Sequence, residues 1–223
     1  MTATVLTDTS DMRLPHGMFR DSLASAAAIV PTVGDDPERA DAVVRFCREV
    51  VAFLHCHHGA EDAILWPLLR ERATDHSDLL DRMEAQHAGV GEMSEKFDRA
   101  INEYVKDPSG QTADALAAAI RSLRAELDAH LTDEEREILP LAAVTVTPDE
   151  WGSMPGWAMS HFDGPMWLVI GLILEQMTSD ERTAFLGHVP PPVADMWNGG
   201  GSAEFGAFTA LVRNSRPVPV PAS

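Results

Sequence analysis

Four stretches of this chain repeat apolar residues at alternating steps of three and four, the spacing that places side chains along one face of an α-helix. The third stripe reads Leu80, Met83, His87, Val90, Ser94, Phe97, Ile101 and Tyr104. Its histidine therefore faces the interior, and the other three stripes also contain one each, at His16, His57 and His130. Because an imidazole is rarely buried without a polar partner, four such helices predict a shared polar site.

Two of these stripes carry a glutamate one turn after the histidine, as His57 with Glu61 and His130 with Glu134. Residues four apart lie one above the other on a helix, so each pair can serve one centre. Two carboxylates in an apolar interior, with no lysine or arginine on their stripes, must either be held neutral at a cost in free energy or be paired with cations, which a pair of divalent ions would supply. We therefore predict two metal ions, with Glu61 and Glu134 bridging them and the four histidines as terminal ligands. The predicted ligands are His16, His57, Glu61, His87, His130 and Glu134.

Several residues near this set leave alternatives open. His58 and Asp62 form a parallel pair one residue along, either as outer groups that orient the ligands or as a rival ligand register. Glu135 lies beside Glu134 in the same way. Glu84 lies three residues before the third-helix histidine, a spacing used in ferritin-like di-iron bundles, and is held as a reserve ligand.

Turns rich in Pro, Gly and Asp separate the periodic stretches, and no stretch shows the sustained alternation of a strand. The sequence therefore predicts an all-α fold with four helices joined by short connections. Pro67 is expected to kink or unwind the end of the second helix, and Thr112 to cap the fourth. Short connections make neighbouring helices antiparallel, so the predicted architecture is an up-and-down four-helix bundle. The expected helices cover about 15–30, 37–72, 77–105 and 112–143.

The chain is expected to divide into a flexible N-terminus (1–13), the bundle (14–146) and a helical extension (147–223) rich in tryptophan and proline. In the extension, an apolar stretch at 165–177 is predicted to lie either against the bundle or in a subunit interface. Ser179 is expected to cap a last helix that ends near His188. The extension is interpreted either as a lid over the metals or as a homodimer surface.

Bulk composition excludes several partners. Seventeen Lys and Arg against 35 Asp and Glu give a formal charge of −18, which opposes binding to nucleic acid or anionic membranes. The sequence shows no secretory signal and no apolar run of about 18 residues, so a cytoplasmic protein is expected. Cys47 and Cys56 lie about 13 Å apart by helical rise, too far for a disulfide.

The local sequences HHGAED at 57–62 and HLTDEE at 130–135 resemble the two carboxylate motifs of the hemerythrin-like, or HHE cation-binding, family. The order of ligands over 14–143 is also similar, with intervals of 41, 30 and 43 residues between successive histidines. The resemblance implies a non-haem di-iron centre with an oxo or hydroxo bridge that binds oxygen or a related diatomic molecule. The donor set alone suits iron well, with zinc and manganese as less favoured alternatives.

The sequence departs from the family's invertebrate oxygen carriers, which show a second histidine one turn after the third-helix ligand, where this chain has Gly91. The resemblance thus implies a missing ligand and an open or water-filled position on one iron, closer to bacterial relatives that include nitric-oxide-responsive repair proteins of iron clusters. Such a position favours an enzyme acting on oxygen, peroxide or nitric oxide. If the extension is a lid, it could also shape a pocket for an organic substrate. The alternatives are a carrier, store or sensor of oxygen or nitric oxide, and an iron-binding or structural metal protein.

Overall fold

The computed structural model describes residues 6–214, and these residues form helices without any strand. The all-α prediction is confirmed. The helices are α1 (Arg13–Ile29), α2 (Pro37–Ala60), α3 (Trp66–Arg72), α4 (Ser77–Lys106), α5 (Gly110–Asp133), α6 (Leu139–Thr145), α7 (Pro148–His161), α8 (Met166–Glu175), α9 (Ser179–His188), α10 (Pro191–Met196) and α11 (Ser202–Arg213).

Helix starts follow local capping chemistry. At α2, Asp36 accepts a hydrogen bond from the backbone N–H of Arg39 at 3.0 Å, with Pro37 in the first turn, where its missing N–H costs nothing. At α5 the cap is Ser109, which accepts from the backbone N–H of Thr112, whose hydroxyl in turn accepts from the backbone N–H of Ser109 at 3.1 Å. The prediction of Thr112 as the cap was wrong, because it is the third helical residue of a capping box.

The long helices α2 and α5 each continue through a π-helical segment. Glu61–Leu65 joins α2 to α3, and Glu134–Ile138 joins α5 to α6. A proline follows each segment, Pro67 and Pro140. Proline lacks an N–H, and its ring collides with the carbonyl four residues earlier. A locally wider turn relieves both problems, so the helix widens at Pro67 and does not unwind.

The π segments shift the buried stripe by one residue. The sequence predicts that Ile64 and Leu68 face the interior, but both are half-buried, whereas Leu65 and Leu69 are 0% exposed. The fourth helix shows the same change, since Leu141 is half-buried and Ala142 is fully buried. The physical reason is that a π turn holds an extra residue, which rotates the rest of the helix relative to an ideal α-helical count.

The four longest helices of the bundle, α1, α2, α4 and α5, contact one another as a closed ring. α1 packs on α2 and α5, and α4 packs on α5 and α2. The apolar stripe positions before the π segments are buried as predicted, and together they form the core. Its largest members include Phe19, Leu23, Phe46, Leu54, Phe97, Ile101, Leu116, Ile120, Leu123 and Leu127. The predicted up-and-down order of these helices remains a prediction.

Residues 6–12, within the segment for which the sequence predicts flexibility, lie along α6. The Thr7 hydroxyl donates to the carbonyl of Val146 at 2.5 Å, and that of Thr9 donates to the carbonyl of Leu139 at 3.2 Å. Both threonines are buried. These contacts bring the start of the chain beside the end of the α5–α6 helix.

Helices α7 to α11 fold back on the bundle. α7 and α11 contact α2, and α8 contacts α1 and α11. Leu168, Ile170 and Leu174 of α8 are buried, as expected for an apolar stretch that lies against the bundle. Phe205 and Trp197 complete this second layer at 0% exposure.

Two expectations for the extension need correction. α9 is capped by Thr178 in a capping box with Glu181, and Ser179 is its first residue. α9 also does not end the helical part, because α10 and α11 follow it. These short helices contain Pro and Gly and lack the long periodic stripe that reveals a helix in sequence. The proline-rich end at 217–223, predicted to be loose, lies outside the described residues.

Gly171 allows the closest contact between α8 and α11. A Cβ added there would lie 2.2 Å from Cδ2 of the fully buried Phe205. We expect Gly171→Ala to lower the free energy of unfolding by about 1–3 kcal/mol, the usual cost of overpacking a core. Gly187→Ala in α9, where the added atom meets nothing within 4 Å, should instead stabilise by about 0.4–1 kcal/mol. Urea unfolding of both variants measures this, and equal stabilities would contradict the described packing.

Candidate metal centre

Seven buried or nearly buried side chains converge in the middle of the ring of helices. They form two groups that share Glu61, and within each group one ligand atom per residue lies within 4.8 Å of all the others. The first group is His58, Glu61, His87 and His130. The second group is His16, His57, Glu61 and Glu134.

The helices explain how adjacent residues reach different groups. His57 and His58 follow one another on the last turn of α2, so their side chains diverge by about 100° around the helix axis. Glu61, at the start of the π segment, lies between the two directions. The rings of His57 and His58 are 5.7 Å apart. The two histidines therefore lie in different groups, so both could serve as donors in the same centre.

The donor atoms of this cluster have no hydrogen-bond partner. Nε2 of His57 lies 3.1 Å from Oε1 of Glu61, and Nε2 of His87 lies 3.2 Å from its Oε2, yet none of these atoms has hydrogen-bonding geometry. Nε2 of His16 likewise lies 3.4 Å from Oε2 of Glu134. The buried atoms left unpaired are Nε2 of His16, His57, His58, His87 and His130, Nδ1 of His130, and both carboxylate oxygens of Glu61 and Glu134.

These unpaired atoms test whether the residues fit metal ions. Each buried polar atom without a partner costs about 1–3 kcal/mol, so a cluster of this size is not a stable arrangement by itself. Glu61 and Glu134 have no lysine or arginine among the ion pairs of the described residues. Lone pairs from imidazoles and carboxylates that converge in this way are what a pair of cations requires. The residues therefore fit the predicted centre.

Two outer carboxylates orient the ligands. Nδ1 of His16 lies 2.9 Å from Oε1 of Glu135, which also accepts from Arg20 at 2.6 Å. Nδ1 of His87 lies 3.2 Å from Oδ1 of Asp62. A carboxylate that accepts from Nδ1–H fixes the tautomer and leaves the Nε2 lone pair for a metal.

Burial keeps most of these imidazoles neutral. It lowers the pKa of His57 to about 4 and that of His130 to about 3, and it lowers the pKa of His58 well below the usual value. His87 differs: although burial opposes its charge, the neighbouring carboxylates of Asp62 and Glu61 raise its pKa to about 9. Neutral imidazole is the metal-binding form, so His57, His58 and His130 are in the form that could bind a metal at neutral pH.

The surroundings shift the pKa values of Glu61 and Glu134 in opposite directions. Burial raises the pKa of Glu61, but the neighbouring histidines, His57 first, more than reverse this effect and hold that pKa well below the usual value. Burial, together with the charge of Glu61, raises the pKa of Glu134 well above the usual value. Two close carboxylates cannot both be ionised without added positive charge, which cations would supply.

The structure does not bring every candidate into the cluster. Glu84 is half exposed and accepts from Nε of Arg70 at 2.8 Å, so it lies outside both groups. Gly91 faces solvent, whereas His58, whose ring stacks on His87 at 4.2 Å, brings a third histidine to the first group. His58 of α2 thus offers a candidate donor in place of the ligand that the resemblance implied to be missing.

Sequence reasoning missed a short internal repeat that carries this geometry. Residues 57–68 and 130–141 both place a histidine first, a glutamate four residues later and a Pro-Leu pair six residues after the glutamate. In each copy a π segment begins at the glutamate and ends two residues before the proline. The repeated glutamate-to-proline interval is a signal that could have predicted the widened turns.

A cavity of about 400 Å³ opens beside the second group. His57 and Glu61 line one end, and the bundle contributes few other walls. Most of the lining comes from the extension, including Trp151, Met154, Ala158, Met166, Ile170, Ile173, Phe185 and Val193. No sequence pattern indicated it, because its walls come from helices far apart in the chain.

Buried histidines and glutamates contributed by four helices define a helical cation-binding protein. The model of the hemerythrin HHE cation-binding domain matches residues 7–142, more than half of the chain, and the protein belongs to that family. No curated protein and no solved structure matches it. Among the described helices, none is both long and apolar enough to cross a membrane.

Proposed function

We propose that this protein holds two iron ions inside an up-and-down four-helix bundle and uses them to activate or reduce oxygen, peroxide or nitric oxide. The observation that carries the proposal is the pair of ligand groups joined by Glu61. One ion would be held by His58, His87 and His130, and the other by His16, His57 and Glu134. Glu61 would contact both ions.

The donor chemistry supports iron. Five imidazoles and two carboxylates form a nitrogen-rich set without thiolate, since neither cysteine is among the seven residues. Such sets suit iron, zinc or manganese. An iron pair supplies the one-electron steps that oxygen, peroxide and nitric oxide require. Zinc in a structural role is the weaker alternative, because structural zinc is typically bound as a single closed tetrahedral site.

The surroundings would keep the centre dry and its ligands fixed. Phe19 packs 5.3 Å from the ring of His57, and Trp66 packs 5.3 Å from that of His87. These apolar neighbours exclude water, which strengthens electrostatic interactions inside the site. Asp62 and Glu135 hold His87 and His16 in the orientation that presents Nε2.

A specific observation favours an enzyme over a carrier. The cavity beside His57 and Glu61 gives a second molecule room near the metals, which a protein that only binds and releases oxygen does not need. Reversible binding, storage or sensing of oxygen or nitric oxide is the second candidate. It draws support from the complete burial of His16, His130 and Glu134, because a dry site protects a bound diatomic molecule.

Iron loading followed by oxygen cycling tests the proposal. The protein is loaded with Fe²⁺ without oxygen, its metal content is measured, and its visible absorption is followed through repeated reduction and oxygen addition. We expect about two iron ions per chain and one-way oxidation, with turnover when peroxide or nitric oxide is supplied. Zinc-loaded protein is the control. A colour that appears and disappears reversibly would favour the carrier, and a failure to take up iron would overturn the proposal.

A further inference from the structure

The cavity beside the metal centre is built by the extension. Trp151, Met154 and Ala158 of α7 face Met166 and Ile170 of α8 across it, and Phe185 of α9 adds a further wall. The bundle closes the other side with Phe53 and the metal-centre residues His57 and Glu61. The extension thus converts the side of the bundle next to the second residue group into a partly open apolar chamber.

The lining disfavours anionic ligands. Among the described residues that line the cavity, none is lysine or arginine, and the polar side chains are Asp11, His57, Glu61 and His188. Asp11 already accepts from the indole N–H of Trp151 at 2.9 Å, and Nδ1 of His188 lies 2.6 Å from the carbonyl of Ala184. An anionic ligand would therefore lose its hydration without gaining a positively charged side chain. The protein's net charge of −18 adds repulsion for anions.

The size of the chamber sets the scale of its ligand. An apolar cavity of about 150 Å³ holds one benzene molecule, and 400 Å³ is more than twice as large. Four methionines line it, Met12, Met154, Met159 and Met166. Methionine side chains are flexible and polarisable, so they adjust to aromatic surfaces. Pockets of this volume and apolar character are typical of sites for small organic molecules.

We propose that this chamber binds an uncharged, largely apolar organic molecule of about two to three rings, with one end beside His57 and Glu61. The inference rests on the proposed function where it makes this molecule the substrate of the metal centre. The binding step itself depends only on the cavity. The ligand buries its apolar body against the methionines and presents one end to His57 and Glu61.

Two fluorescent compounds that differ by one charged group test this binding. N-phenyl-1-naphthylamine is uncharged and has three rings, and 8-anilinonaphthalene-1-sulfonate is the same skeleton with a sulfonate. Each is titrated into iron-loaded protein, and fluorescence and iron content are measured on the same samples. We expect saturable one-to-one binding of the uncharged compound and at least 10-fold weaker binding of the sulfonate. Equal affinity for both, or no saturable binding of the uncharged compound, would overturn the inference.

Variants that fill the chamber show where the compound binds. Val193→Trp and Met159→Trp each enlarge a half-buried lining residue, and each should weaken binding at least 10-fold. The matched control is Val144→Trp, at a residue that is 60% exposed and does not line the cavity. Circular dichroism checks that each variant is folded. If a folded filling variant binds the compound as tightly as the wild type does, the compound binds elsewhere and the inference is overturned. Iron uptake without compound binding would overturn the chamber alone, whereas compound binding without iron uptake would overturn the proposed function alone.

Discussion

Replacing Glu61 with alanine is expected to abolish the binding of both metal ions. Glu61 is the one residue common to the two ligand groups, and it is fully buried with both oxygens unpaired. Loss of an outer group that only orients a ligand typically weakens metal binding by about 10–100-fold, so loss of a shared ligand should exceed about 100-fold for each ion. Metal content after gel filtration and a competitive chelator titration measure this effect.

The control for this variant is Glu71→Ala, which removes an exposed carboxylate from α3, the continuation of the same helix, and should leave both ions bound. Folding is checked against metal-free wild type. Because that form buries an unpaired carboxylate at residue 61, Glu61→Ala should be at least as stable in thermal unfolding. Iron binding like that of wild type would show that Glu61 is not a ligand.

Helix periodicity predicts much of the centre because the stripes are long and regular. A residue that replaces leucine on a stripe of eight positions must face the interior, whatever the connections between helices. For this reason the periodicity alone assigns His16, His57, His87 and His130 to one interior, and the four side chains do lie together. Glu61 and Glu134 follow from the same count, since each is the first residue of its π segment and the extra residue shifts only the positions after it.

The same count fails where the helix geometry changes. Past the π segments, Leu65 and Leu69 take the buried positions predicted for Ile64 and Leu68. Counting along the stripe also assigns no role to His58. The stripe of α2 contains His57, and the next residue lies about 100° away around the helix, so His58 falls outside the stripe. Only the arrangement of α4 and α5 around α2 shows that His58 reaches the first group.

Helix periodicity also does not predict ion pairs on the surface or which helices pack against one another. Glu84 has the spacing of a ligand, but Arg70 on α3 lies close enough across the corner to α4 to form an ion pair with it. The cavity is a similar case, because its walls combine α7, α8 and α9 with α2. Short helices with few turns carry weak periodicity, so the sequence indicates apolar packing there without indicating which surfaces meet.

His58→Ala is expected to remove one metal ion and leave the other. His58 contributes to the first group only, where its loss leaves His87, His130 and the shared Glu61, so affinity for that ion should fall by at least about 10-fold while the second ion is retained. The matched control is His55→Ala, three residues earlier on α2 and exposed, which should bind two ions like the wild type. Iron titration followed by mass spectrometry under non-denaturing conditions counts the ions on each variant. If His58→Ala still held both ions with unchanged affinity, the ligand set would be the six residues predicted from the stripes, and solvent would complete the coordination of the first ion.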